Sequence, residues 1–473
     1  GNPPFLGGQK LSGAMGTILR DWLVASVANG KTGSADLVAY FVLRSSALLL
    51  TTGVVGIVAT NTVAQGATRE VGLDQVLSLG GRIYRSIQSA RWPSRAANLE
   101  YAALWIACPG RPVASRVNAD GVMVSLISSL LEATGRAAGI PKSLAGNRSI
   151  VYQGTIALGA GFAIAEGEAD ALIAADERNR EVIKPYINGE DLNSRPDCSP
   201  SRMIIDFKTM TIEQARTFGA PFRIVEERVK PERLRQNDGK ARETWWRFLR
   251  PRRELYAALG VRSHAMAITI VSRTLLPLRV PTGAVFANTL AVFLMDDFAD
   301  LAYLSSTPHQ AWAIKYGSGM RNDPRYTPSD VFETLPRPVS TQEMRELGET
   351  LDRDRQEVML RRELGLTSLY NLVNSPAVNG DPDVDRLRSI HLQIDQSVME
   401  AYGWTDIPLA HGFHAYRQME RWTVSPAARV EILDRLLEEN HRRATLEAEV
   451  AATKKPKRGK SFEESAAPEG AMF

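Results

Sequence analysis

The residues best suited to chemistry stand at the start of the sequence: Asn2, Pro3, Pro4 and Phe5. The Asn2 amide oxygen and the Pro3 carbonyl can both accept hydrogen bonds from one planar amino group. The exocyclic nitrogen of adenine is a poor nucleophile, because its lone pair is delocalised into the ring. Two acceptors acting on its hydrogens pull it toward tetrahedral geometry and free that pair to attack a methyl sulfonium. The prolines fix φ at about −65° and remove amide donors, so the loop keeps its acceptor-lined shape. Phe5 offers a face for a base to stack on, which offsets part of the cost of turning that base out of a duplex. The chemistry needs no metal ion and no covalent intermediate. The same four residues also read as a simple turn, since Asn-Pro dipeptides mark turns. The neighbouring elements decide between the two readings.

Ser34 can cap a helix that carries Asp36 in its first turn, where a carboxylate suits the helix dipole. Leu37, Phe41 and Leu48 recur at helical spacing, flanked by Val38 and Val42. Gly53 precedes the apolar run Val54 to Ala59, a buried strand ending in Thr60-Asn61. Further strands are expected over Arg82–Gln88 and Leu99–Cys108. Loop, helix, strand and two more strands is the order of the second half of a doubly wound sheet, whose functional loops lie at the carboxyl ends of its strands.

Three further segments accompany the N-terminal motif. They are Gly53–Asn61, Lys184–Leu192 (KPYINGEDL), and Asp323–Pro328 (DPRYTP) continuing through Phe332–Pro336 (FETLP). Together the four resemble the MmeI-like single-chain restriction–modification enzymes, over residues 1 to about 450. The tetrapeptide resembles the catalytic motif of DNA adenine methyltransferases. Cytosine N4 methylation fits less well, because related enzymes of that kind more often carry Ser at the Asn2 position. The resemblance implies that Asn2, Pro3, Pro4 and Phe5 are catalytic, that S-adenosylmethionine is the methyl donor, and that double-stranded DNA is the partner. It also implies a modular enzyme in which a nuclease and a glycine-rich cofactor-binding segment precede the motif. Neither is found here, and the chain begins with Gly. The expectation is a C-terminal portion starting at the catalytic loop, with a separate N-terminal polypeptide as a possible source of the cofactor-binding half. A DNA-binding fragment that catalyses nothing is the alternative.

The fold class implied is α/β: a partial doubly wound, Rossmann-like methyltransferase half over residues 1–112. An α+β target-recognition domain follows over 113–336 and an all-α C-terminal domain over 337–452. Residues 453–473 form a basic tail, expected to be disordered. At 473 residues the chain is long enough for several domains. Cys108 and Cys198 are too few for a disulfide framework or a metal cluster and fit a reducing cytoplasm. The longest apolar stretch, 37–64, is interrupted by Arg44, serines and threonines, so neither a membrane span nor a signal peptide is expected. The six histidines are scattered, and only His411 and His414 lie close, without metal-ligand partners in sequence.

Net charge is only +4, but residues 228–253 hold ten Lys or Arg against three Asp or Glu. Trp245, Trp246 and Phe248 are interleaved with them. The aromatics read as core. Arg247, Arg250 and Arg252 read as phosphate or groove contacts, with a solvated helix face as the alternative. Arg321 and Arg325 flank a Gly317-Ser318-Gly319 loop and are further candidates for DNA contact. Gly159-Ala160-Gly161 reads as a turn. Helices are expected over Ser125–Ala138, from a Ser340/Glu343 capping box to about Gly365, over Val384–Tyr402, and from Ser425-Pro426 onward.

Overall fold

In a computed structural model the described residues are 1–454, except 51, 93–99, 135, 136, 138, 261, 321, 322, 417 and 418. The expected basic tail therefore lies almost wholly outside the described residues. The first core is a five-stranded sheet of β1 (Val54–Ala59), β2 (Arg82–Arg91), β3 (Glu100–Ala107), β4 (Val117–Ala119) and β5 (Val122–Val124), in the order β1-β3-β2-β4-β5. β3 is antiparallel to both β1 and β2, so those two strands run parallel. The apolar run of β1 suits a strand with a covered face: Ile57 and Ala59 are buried with Leu104 and Ile106 of β3.

The helix Leu37–Ala47 packs on this sheet, with two corrections to the sequence reading. Its cap is Asp36, not Ser34: the Asp36 carboxylate accepts from the Val38 amide at 3.1 Å. Its buried residues are Leu37, Val38, Ala39, Tyr40, Val42 and Leu43, so Leu37, Val38 and Val42 of the expected set face the core, whereas Phe41 and Leu48 face outward. Both sets recur at helical spacing, so the sequence alone does not choose between them.

The expected helix over 125–138 is absent among its described residues. A ribbon replaces it, with β6 (Leu126–Ile127) and β7 (Ala133–Thr134) antiparallel across a turn. Ser128 nucleates the turn: its hydroxyl accepts from Leu130, and its carbonyl accepts from Leu131. The groups of β2 then hold it. The Ser86 hydroxyl donates to the Leu131 carbonyl at 2.8 Å, and the Gln88 amide donates to the Leu130 carbonyl at 3.1 Å. Tertiary hydrogen bonds to a neighbouring strand outweigh the local leucine periodicity.

The next strands are β8 (Val151–Gln153), β9 (Ala163–Ile164), β10 (Ile183–Ile187), β11 (Arg202–Ile205), β12 (His264–Thr269), β13 (Leu278–Pro281), β14 (Val285–Phe286) and β15 (Leu290–Phe293). They form two four-stranded sheets, ordered β14-β10-β11-β9 and β13-β12-β15-β8. The first covers an aromatic core containing Phe162, Phe207, Phe222, Trp245 and Phe248. Two hairpins follow in sequence: β16 (Ser318–Met320) with β17 (Asp323–Arg325), and β18 (Gly412–Tyr416) with β19 (Met419–Thr423). Gly317-Ser318-Gly319, read as a loop, thus contributes to a strand. Gly159 and its neighbours form a turn leading to β9, as expected.

The C-terminal helices run over Gln342–Arg361, Leu366–Val373, Pro382–Tyr402 and Pro426–Lys454. The Thr341 hydroxyl caps the first by accepting from Met344 N–H, so the Ser340/Glu343 capping box does not form; Glu343 instead accepts from the Ser397 hydroxyl. Residues on both sides of Pro336 share one apolar core, from Leu255 through Phe293 and Trp312 to Leu351, Ile394 and Leu436. Among the described residues no helix is long and apolar enough to cross a membrane.

Candidate functional site

Two anchors hold the N-terminal loop. At one end the Gly1 amino group donates to the Gly56 carbonyl at 2.6 Å, and the Val58 amide donates to the Gly1 carbonyl at 2.8 Å. This offset pair is the pattern of a parallel bridge, so the chain leaves Gly1 toward the carboxyl end of β1. At the other end the Leu6 amide donates to the Asp36 carboxylate at 3.2 Å, and the Leu37 amide donates to the Leu6 carbonyl at 3.0 Å. The Asp36 amide in turn donates to the Thr68 hydroxyl. A glycine is required just beyond, at Gly8, where a Cβ would lie 2.4 Å from the Ser34 carbonyl carbon.

Between these anchors Asn2 and Pro4 are exposed, Pro3 is half-buried and Phe5 is 43% exposed. The Asn2 side chain makes no hydrogen bond to any described residue. Its amide, the Pro3 carbonyl and the Phe5 ring thus occupy one short, tethered and accessible stretch. The arrangement can present acceptors and an aromatic face to a planar amine.

A feature missed in the sequence reading lies at the same end of the sheet. The register Ala59↔Ala102 brings the start of β3 beside the end of β1, and Ala90↔Tyr101 brings it beside the end of β2. Trp92 packs edge-on against Tyr101 with ring centroids 5.4 Å apart and is 39% exposed. Thr60 and Thr62 share a 2.6 Å hydroxyl contact just past β1. The available signal was a pair of aromatics at the end of one strand and the start of the next. It had no weight until pairing placed both at the carboxyl end of β1.

The basic segment is organised by a residue not singled out in the sequence. Arg233 is fully buried and donates to the carbonyls of Ala157, Leu158 and Arg247 at 2.6–2.7 Å, with a longer contact to Ala241. Burial lowers its pKa, yet a guanidinium whose donors are met by carbonyls can stay charged there. It ties the turn at 157–158 to the basic run. Trp245 and Phe248 are buried, as expected.

The candidate arginines occupy different settings. Arg247 is half-buried; its Nε donates to the Met210 carbonyl, and its guanidinium lies 5.2 Å from the Trp246 ring centre. Arg250 pairs its backbone with Ile156 and leaves its side chain exposed. Arg252 is half-buried in a left-handed backbone conformation and reaches Gln153. Arg325 lies in β17, half-buried, and bridges to Val271. Arg321 lies outside the described residues. Arg250 is therefore the most available of the first three.

The two other motifs carry structural work. In Lys184–Leu192, β10 passes into a helix whose capping box joins Asn188 and Asp191, and Gly189 lies where a Cβ would meet Thr269 at 2.7 Å. In the 323–336 segment, Tyr326 bonds His309 at 3.0 Å, and the Thr334 hydroxyl accepts from the Trp312 indole at 3.1 Å. The carbonyls of Phe332 and Leu335 both accept from the Asn147 amide. Burial pushes His309 down to about 4, so its imidazole is neutral.

No family model matches the chain, and no curated protein matches it. Among solved structures it is similar to the type IIL restriction-modification enzyme MmeI, determined in complex with DNA. The TM-score is 0.65 at 15% identity, over 94% of this chain and 57% of MmeI. The type IIG restriction endonuclease BpuSI aligns with a TM-score of 0.29 at 11% identity, over 85% of this chain and 53% of that one. This chain thus spans little more than half the length of either. It is a mixed α/β protein that shares the fold of the matched part of MmeI.

Proposed function

We propose that this chain carries the catalytic loop and the sequence-reading surface of a site-specific DNA adenine-N6 methyltransferase of a restriction–modification system. One observation carries the reading: Asn2–Phe5 is pinned at Gly1 and Leu6 yet open to solvent, at the carboxyl end of β1, which runs parallel to β2. The Asn2 amide oxygen and the Pro3 carbonyl accept the two hydrogens of an everted adenine amine, and Phe5 stacks on the ring. Trp92 and Tyr101 wall the same end. The fold shared with an enzyme determined on DNA supports duplex DNA as the partner. Arg250, whose side chain is exposed, and Arg325 of β17 are the cations assigned in this reading to phosphates or base edges.

S-adenosylmethionine would supply the methyl group, leaving as the thioether while the amine loses a proton. The roles above are confined to the acceptor base, and no residue of this chain is assigned to the donor. The chain spans 57% of MmeI, which was determined on DNA, and this favours a second reading, a sequence-specific DNA-binding portion that catalyses nothing.

The test is transfer of labelled methyl from S-adenosylmethionine to adenine-containing duplex DNA. It is run with the chain alone and with a polypeptide supplying a glycine-rich cofactor half, followed by nucleoside analysis. N6-methyladenine that depends on Asn2 supports the first reading. Methylated cytosine, or transfer that survives Asn2→Ala, would defeat it. Sequence-selective DNA binding with no transfer in either arm would leave the second.

A further inference from the structure

The β16–β17 hairpin is held from behind. Residues 270–272 run antiparallel to 324–326: the Tyr326 amide donates to the Ile270 carbonyl at 2.7 Å, Val271 bridges Arg325, and the Ser272 amide reaches the Pro324 carbonyl at 3.4 Å. This strap turns sharply, with the Ser272 hydroxyl accepting from the Thr274 amide. Its next carbonyl, that of Arg273, accepts from the guanidinium of Arg421 in β19. Arg421 is buried.

The β18–β19 hairpin is tied to the C-terminal helices by directional contacts. The Trp422 amide donates to the Asn374 side chain at 3.1 Å. His411 lies 2.8 Å from the Asp395 carboxylate, which also accepts from the Thr307 amide and hydroxyl at 2.6 Å. The Arg388 guanidinium stacks 4.9 Å from the Phe413 ring centre and 5.6 Å from that of Trp422. Thr307, Asn374, Asp395, His411, Arg421 and Trp422 are among the residues that line a polar cavity of about 30 Å³, room for a water. Hydrogen bonds fix position and angle, whereas apolar contacts tolerate sliding. The Thr307 hydroxyl also meets that of Thr423 at 3.3 Å, so polar contacts and the backbone of β19 link Asp395 through Arg421 to the strap behind Arg325.

We infer that Arg421 is a positioning residue for DNA reading, fixing the strap 270–273 and through it the orientation of Arg325. The inference rests on the reading of Arg325 as a DNA contact. It assigns the C-terminal helical part a role in sequence selectivity without requiring it to touch DNA. A supporting shell that is about 1 Å too loose is enough to degrade a site of this kind.

The full chain is incubated with a randomised duplex library, and bound sequences are read after several rounds. Wild type should enrich one motif. Arg421→Gln should lower enrichment of that motif about tenfold, with total binding and its salt dependence nearly unchanged. Hydrogen exchange at the Ser272 and Tyr326 amides should accelerate in the folded variant. Arg421→Lys, which keeps a donor for the Arg273 carbonyl, should retain most of the motif. Should the Gln variant not fold, Asp395→Asn loosens the same hairpin one step further back and should shift enrichment in the same direction. Unchanged enrichment and protection in the folded Arg421→Gln variant would overturn the inference while leaving the DNA reading intact. A motif that survives Arg325→Ala, or no motif in wild type, would remove the reading and this inference together.

Discussion

Replacing Gly348 with alanine should destabilise the protein, although alanine is the better helix former. Gly348 lies within the Gln342–Arg361 helix at its crossing with the Phe298–Ser305 helix. A Cβ there would sit 1.9 Å from the Phe298 carbonyl oxygen, 2.8 Å from its carbon and 3.2 Å from the Ala302 nitrogen. All three atoms are backbone, so no side-chain rotation relieves the overlap. The helices would have to part by about 1 Å or more, loosening Leu301 and Leu304 from Met344 and Leu351 in the shared core. Helix propensity favours alanine by about 1 kcal/mol. Overpacking of a tight core costs about 1–3 kcal/mol, and more where backbone meets backbone. The net expectation is a loss of about 2 kcal/mol, or roughly 2 °C in Tm for a protein of this size. Gly167→Ala is the internal control: it lies in the Glu166–Ala175 helix with nothing within 4 Å of its added Cβ. It should stabilise by about 0.5–1 kcal/mol. Thermal and urea unfolding of both variants measure the two signs. If Gly348→Ala raises Tm as Gly167→Ala does, the close helix crossing, and with it the joint core across Pro336, is wrong.

Four other outcomes are expected. Asn2→Ala should reduce methyl transfer about 100-fold or more, wherever transfer is reconstituted, because a pre-placed acceptor on the reacting amine is lost; single-turnover rates test it. Arg325→Ala should lower the slope of log affinity against log salt by about 1 if it meets a phosphate, and relax selectivity if it meets a base; binding titrations across salt separate the two. Asp36→Ala should cost about 1–2 kcal/mol and free the Leu6 anchor, since the carboxylate serves both Val38 and Leu6 amides; exchange at those amides reports it. His309, buried between the Leu304 carbonyl and the Tyr326 hydroxyl, is pushed down to about 4 against about 6.5 unfolded. Its contribution is complete above about pH 6.5 and is lost as the pH falls toward 4, by roughly 3 kcal/mol, because the unfolded chain takes the proton first. His309→Gln should flatten that part of the stability–pH curve, and an unchanged curve would count against a neutral buried imidazole.

Residues 1–112 were the most legible part, because short-range physics dominates there. A run such as Val54–Ala59 has few options besides a strand, of which Ile57 and Ala59 are buried and Val54 is exposed, and prolines at 3 and 4 restrict a loop wherever it lies. The burial of Trp245 and Phe248 within a basic run was also legible from residue type. Other features depended on partners far away in sequence. The leucines of 126–131 fit a helix until Ser86 and Gln88 of β2 supply hydrogen bonds that favour a ribbon. Phe41 and Val42 are equally apolar neighbours, and only the position of the sheet decides which is buried. Trp92 and Tyr101 meet because a hairpin register joins them. Arg233 appears as one basic residue among ten, and its four carbonyl partners lie on three separate segments, at 157–158, 241 and 247.

By itself the sequence determined the inventory: an amide, two prolines and an aromatic at one end, a basic run in the middle, and amphipathic helices toward the other end. Those follow from side-chain chemistry and backbone restriction, which act over a few residues. The tertiary structure decided which groups meet. It brought Gly1 alongside β1, Asp36 under Leu6, and Arg421 behind the strap that supports Arg325. The reason is that a hydrogen bond or a close contact acts over about 3 Å. Its partner is chosen by how the whole chain packs and not by its neighbours in sequence.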